Sequence, residues 1–146
     1  MKKAVKAFEN ILPQFLVVFL LVAMGMAVLD TETISLVLGK NSGVLGVLAA
    51  SLIGSVTLIP GFVAFPVAAI LMKKGAGFTN ILIFIGAWST TKIPMLLFES
   101  SALGVRFALS RLAIDIVGIV LIAQALKAML SQEEIARLYV QAEKID

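Results

Sequence analysis

The stretch GVLGVLAASLIGSVTLIPGFVAFPVAAILM, residues 43–72, contains no charged side chain, and its reading decides the fold. As one helix these roughly 30 residues would be about 45 Å long, against about 30 Å of bilayer hydrocarbon. The run is apolar enough for lipid but too long for one straight crossing, and tilt absorbs only part of the excess. Its middle reads Leu58-Ile59-Pro60-Gly61. Pro60 removes a backbone donor and clashes with the preceding turn, and Gly61 adds backbone freedom. The expectation is two shorter helices, about Gly43 to Leu58 and Phe62 to Met72, with a break between them. Amide groups freed at the break must be covered by protein or by a cavity. Ser55, Thr57, Pro60, Gly61 and Pro66 surround the break and are candidate site residues, because half-helix ends expose partial charges that meet ions or polar solutes. The plainer reading is a kinked packing helix with glycines for close approach.

The rest of the chain agrees with a lipid solvent. Of 146 residues, 60% are hydrophobic and 14% charged, and the mean hydropathy is +1.07. A soluble domain carries about a quarter charged residues. The apolar runs lack the period-two alternation of a barrel, so the expected class is all-α: a polytopic transmembrane bundle of about four crossings, the second broken near its middle. The segments are 11–29, 43–72, 79–98 and 105–129. They form a membrane domain over 1–130, followed by a short polar tail over 131–146 in which Ser131 and Glu134 have the spacing of a capping box. Lys2, Lys3 and Lys6 before the first run resemble a secretory signal, but the run is long and no small-x-small site follows, so an uncleaved helix is expected. Pro13 and Gln14 fall in its first turn, and residues 4–10 read as an interfacial helix.

Lys40 and Arg106 fall on one side of this topology. Lys2, Lys3, Lys6, Lys73, Lys74, Lys127, Arg137 and Lys144 fall on the other. That bias puts both termini in the cytoplasm of an inner-membrane protein. A re-entrant hairpin over 43–72 fits the count less well. The net charge of +3 is read as topology signal and contact with lipid headgroups, not as nucleic-acid binding. The chain has no cysteine and no histidine, which excludes thiol nucleophiles and histidine-based metal sites. No cofactor and no enzymatic centre are expected.

Lys92 and Asp115 are ionisable residues inside apolar segments, where they are costly and face a partner or a wet cavity. Lys92 lies about 10 Å from the Glu99 end of its segment and Asp115 about 12 Å from the same side of the next. Antiparallel neighbours would bring them to similar depth. The functional reading is a contact to a solute anion at Lys92 and a proton or cation role at Asp115. The plainer one is an internal ion pair, or Lys92 snorkelling outward. Thr90 and Thr91 either line a polar path or cap carbonyls freed by Pro94. Trp88 reads as packing. Glu99 to Gly104 reads as a connector, and Arg106 and Arg111 as partners of headgroups or of Glu99.

The run Gly54-Ser55-Val56-Thr57-Leu58-Ile59-Pro60-Gly61-Phe62-Val63-Ala64-Phe65-Pro66, followed by Lys74-Gly75-Ala76, resembles the core motif of a predicted-permease family that includes bacterial arsenical efflux permeases. Gly86-Ala87-Trp88-Ser89-Thr90-Thr91-Lys92-Ile93-Pro94 resembles that family's next segment. The resemblance spans residues 40–120 and implies a polytopic inner-membrane permease. Full-length members have two related halves and about twice this length, so the chain reads as one half that pairs with itself or with a related half-permease. Arsenical-transporting members are described as using a cysteine near the corresponding site. Its absence here speaks against thiol-mediated handling and leaves the solute open. The function expected is a secondary permease subunit moving a small solute as an oligomer. The alternative is a non-transporting membrane scaffold or accessory protein.

Overall fold

The computed structural model describes residues 30–57 and 59–144, together with positions 20 and 24. Two compact units divide the chain, residues 1–30 and 31–146. In the first, Leu20 and Met24 are helical. The remainder of the 11–29 segment, Pro13, Gln14 and the 4–10 stretch lie outside the described residues, as do Lys2, Lys3 and Lys6.

The second unit is all helix among the described residues: α1 (Thr31–Leu38), α2 (Gly43–Val56), α3 (Gly61–Lys73), α4 (Phe78–Thr90), α5 (Ile93–Leu103), α6 (Val105–Met129) and α7 (Gln132–Glu143). α1 and α2 meet at 112°. The turn between them is closed by Ser42, whose N–H and hydroxyl both donate to the Gly39 carbonyl at 3.2 and 2.7 Å. Gly43 follows at φ +55°, a backbone region that a Cβ disfavours.

α2 lies against α4 through small residues one turn apart. Gly46, Ala50 and Gly54 are all buried. A Cβ on Gly54 would stand 2.5 Å from the Phe84 carbonyl oxygen, and one on Gly46 would stand 2.6 Å from Asn80 Nδ2. The backbones approach as closely as the missing side chains allow, which is how membrane helices gain dispersion energy without a hydrophobic drive between them. Gly86 plays the same part between α4 and α6, beside Ile119.

The break expected near Pro60 is present: Thr57, Ile59 and Pro60 are not helical. The direction of the chain after it differs from a kinked rod. Gly46 stands beside Asn80, and Ser55 beside Thr91, so α2 and α4 run the same way. α3 then begins against the Trp88 ring at Gly61 and ends in a turn where Gly77 N–H donates to Leu38 O at 2.7 Å. Residues 43–73 therefore double back, and both ends of the hairpin meet beside Lys40. The non-helical stretch containing Thr57, Ile59 and Pro60 gives the chain room to reverse, where a single proline within a helix would only bend it.

α3 buries Val63, Ala64, Val67, Ala68 and Leu71, one stripe at helical spacing. Pro66 sits inside α3 on its exposed side, away from the break. α4 and α5 together form a 26-residue apolar helix, Phe78–Leu103, and α6 is a second of 25 residues. The connector expected over Glu99–Gly104 reduces to Gly104 at φ +91°. The helix continues through Ser100 and Ser101, whose hydroxyls turn back to Leu96 O and Phe98 O, both at 2.7 Å. The outward faces are apolar: Ile114 is 72% exposed and Leu121 63%. The capping box of α7 is complete, with Ser131 N–H donating to the Glu134 carboxylate and Glu134 N–H to Ser131 Oγ. The tail packs on α3, and Tyr139 donates to Ala76 O at 2.8 Å.

Candidate functional site

A second break, not expected from the sequence, interrupts the helix after Thr90. Thr91 and Lys92 are non-helical, and Pro94 is in the first turn of α5. Proline cannot donate to the carbonyl four residues back, so Thr90 O loses its helical partner. Arg111 of α6 takes it, with Nη1 at 3.2 Å. At the other break Val63 N–H turns to Pro60 O at 2.9 Å, which leaves Ile59 O free. Trp88 Nε1 donates to it at 3.1 Å. Each loose carbonyl is thus satisfied by a side chain of a neighbouring helix, as a dry environment requires.

The two breaks lie side by side. Ser55 Oγ and Thr91 Oγ1 are 2.7 Å apart. Thr91 gives its proton to Ala87 O at 3.0 Å, so Ser55 is the donor between them. Thr90 caps Gly86 O at 3.0 Å and Thr57 caps Ile53 O. The structure brings Ser55, Ile59, Gly61, Trp88 and Thr91 to one place at the hairpin tip, and leaves Pro66 elsewhere.

Charge surrounds this junction. Lys92 begins α5, and its ammonium lies 4.4 Å from the centroid of the Trp88 ring, within cation–π range. Arg111 reaches Glu99 at 2.7 Å and Asp115 at 2.6 Å. Lys92 and Asp115 each have a partner of their own. Asp115 belongs to Arg111 one turn away on its own helix, and no Lys92–Asp115 ion pair occurs among the described residues. Spacing decides this: an i,i+4 arginine reaches its carboxylate without crossing between helices. The same spacing joins Trp88 to Lys92, so both contacts were legible as patterns. The expected link between Arg111 and Glu99 is present.

Asn80 stands outside the residues that the sequence pattern singles out. It is buried, and its amide faces Leu38 O, Gly39 O and Ser42 Oγ at 2.9, 3.2 and 2.9 Å. It ties the two ends of the hairpin to the start of α4. A lone amide in an apolar segment was the available signal.

The junction gathers helix ends, hydroxyls and one bridged ion triplet. It holds no group of three or more carboxylates, cysteines or histidines among the described residues that would bind a metal. The chain belongs to the predicted permease family, which matches residues 4–146. No curated protein and no solved structure matches it. The family is one of predicted permeases, with no solute named for it. With its long apolar helices, membership makes the chain a multi-pass membrane protein of transport type and not an enzyme.

Proposed function

We propose that this member of the predicted permease family moves a small solute across the cytoplasmic membrane, through the junction of its two helix breaks. The observation that supports the reading most is the Ser55–Thr91 contact of 2.7 Å, which joins two interrupted helices at one level. Paired interruptions near mid-membrane are where secondary transporters hold their cargo. The amino-terminal end of α5 carries partial positive charge, and Lys92 adds a full one beside it. An anionic or electron-rich solute group suits that end. On the other side Arg111 is shared by Glu99 and Asp115. Protonating Asp115 would remove one of two carboxylates that hold the arginine, which offers a route for coupling to protons.

Membrane placement follows from lengths. α2 and α3 are each about 20 Å long, about two thirds of the hydrocarbon core, which suits a re-entrant hairpin. Phe78–Leu103 and Val105–Met129 suffice to cross. The shared end of the hairpin carries Lys40, Lys73 and Lys74, and Lys127, Arg137 and Lys144 follow near the end of α6 and in the tail. The positive charge at that end supports a cytoplasmic placement for it, which puts Lys40 on the side opposite the one first expected. α5 buries none of its residues, so a second copy or a related half-permease completes the enclosure.

The experiment is flux in proteoliposomes with a panel of small solutes, comparing wild type, Lys92→Met and Asp115→Asn. A solute moved by wild type should move at least about tenfold more slowly with Lys92→Met if it is an anion, a loss of about 1.4 kcal/mol. A wild type that moves nothing, with assembly intact in both variants, supports the scaffold alternative.

A further inference from the structure

A cavity of about 580 Å³ opens at the other end of the unit, one hairpin length from the breaks. It lies among the start of α2, the start of α4, the end of α6 and the tail helix α7. Lys40 and Lys127 both line it, as do Thr79, Gln124, Gln132 and Tyr139, and no carboxylate does. Neither lysine forms an ion pair among the described residues. The Glu134 carboxylate at the start of α7 is held in its capping box. Two lysines without an ion pair among the described residues, one in the turn between α1 and α2 and one on α6, thus line one concavity that also offers amide and hydroxyl donors. The first-turn residues Gly43, Val44 and Phe78 belong to two helix starts on its wall, and their dipoles add the same sign. Two like charges on one concavity lined by no carboxylate favour an anion as their shared partner.

We infer that this cavity binds a phosphate-bearing anion, with Lys40 and Lys127 as its principal contacts. The cavity lies at the Lys127 end of α6, so two sources of the same chemistry reach it: the headgroup of an anionic lipid, or free phosphate from the aqueous side. This site is separate from the helix breaks and stands whether or not the transport reading does.

The full chain is purified in two forms. In the first, it is solubilised with an equal mixture of phosphatidylglycerol and phosphatidylcholine, and retained lipid is read by native mass spectrometry. In the second, it is held in phosphatidylcholine nanodiscs and titrated with inorganic phosphate by calorimetry. The variants are Lys40→Gln/Lys127→Gln, each single change, and Arg106→Gln/Lys144→Gln as a charge-matched control away from the cavity. Wild type should bind in at least one arm, and the arm identifies the source. The cavity pair should weaken binding about 25-fold, about fivefold per lysine, and the control by less than about twofold. If the double variant loses its helical signal, the single changes carry the test. No binding in either arm overturns the proposal, as does an equal loss in cavity pair and control, or unchanged binding in the cavity variants.

Discussion

Ser55 in α2 donates to Thr91 Oγ1 across 2.7 Å, and Thr91 passes its own proton to Ala87 O, so the two helix breaks are stitched by a directed chain of hydroxyls. The order has a consequence for substitution. Ser55→Ala removes one bond and leaves Thr91 capped. Thr91→Val removes both and frees Ala87 O from its second donor. In a double-mutant cycle of thermal unfolding in detergent, the pair should couple by about 0.6 kcal/mol, the usual size of an interhelical hydrogen bond in a membrane protein. Thr91→Val alone should be the more damaging single change. Strictly additive losses would show that the two breaks are not held together through these groups.

The α2–α4 contact predicts opposite outcomes for two glycine-to-alanine changes. At Gly54 the new Cβ would meet the Phe84 carbonyl at 2.5 Å and Ala87 Cβ at 2.9 Å, and backbone cannot yield as a side chain can. Gly54→Ala should destabilise by about 1–3 kcal/mol, the cost of overpacking. At Gly118 in α6 a Cβ meets nothing within 4 Å, so Gly118→Ala should be neutral or stabilising by up to about 1 kcal/mol through helix propensity. Thermal midpoints of the two variants in the same detergent decide the point.

These contrasts mark what the sequence carried. The break near Pro60 was legible because proline and excess length act locally, and the α7 cap because its two residues lie three apart. The doubling back of α2 and α3 was not legible. It depends on Asn80 and on Gly77 N–H meeting the Leu38–Ser42 turn, contacts about 40 positions apart that no periodicity reports. The second break was half legible. Pro94 implies a freed carbonyl that needs a cap, but the capping group at Thr90 O comes from Arg111 on another helix. Arg111 lies 21 positions from Thr90, a separation that local spacing does not report.

Arg111 stands between Glu99 and Asp115, with side chains 30%, 14% and 21% exposed. Removing the central cation strands two carboxylates and the Thr90 carbonyl. Arg111→Met should therefore destabilise by about 2–4 kcal/mol, slightly below the range for a fully buried pair because some solvent reaches the group. Adding Glu99→Gln and Asp115→Asn to that variant removes the stranded charge and should recover more than half of the loss. Unfolding midpoints of the single and triple variants measure it. A triple variant no more stable than Arg111→Met would mean that the cation acts through packing alone.

The fold-back of residues 43–73 has the sharpest consequence, because it moves Lys40 across the membrane relative to a straight passage. The chain contains no cysteine, so single cysteines report position without background. Lys40 Cα lies 3.0 Å from where a Cβ on Gly77 would sit, which places it on the same face as the Lys73-Lys74 turn. Lys40→Cys, Lys74→Cys and Lys144→Cys should all react with an impermeant maleimide from the cytoplasmic side of oriented vesicles, and Arg106→Cys from the opposite side. A passage of residues 43–73 through the bilayer predicts instead that Lys40→Cys reacts together with Arg106→Cys. Labelling of Lys40→Cys and Lys74→Cys from opposite faces would remove the re-entrant hairpin, and with it the reason for the two breaks to share one level.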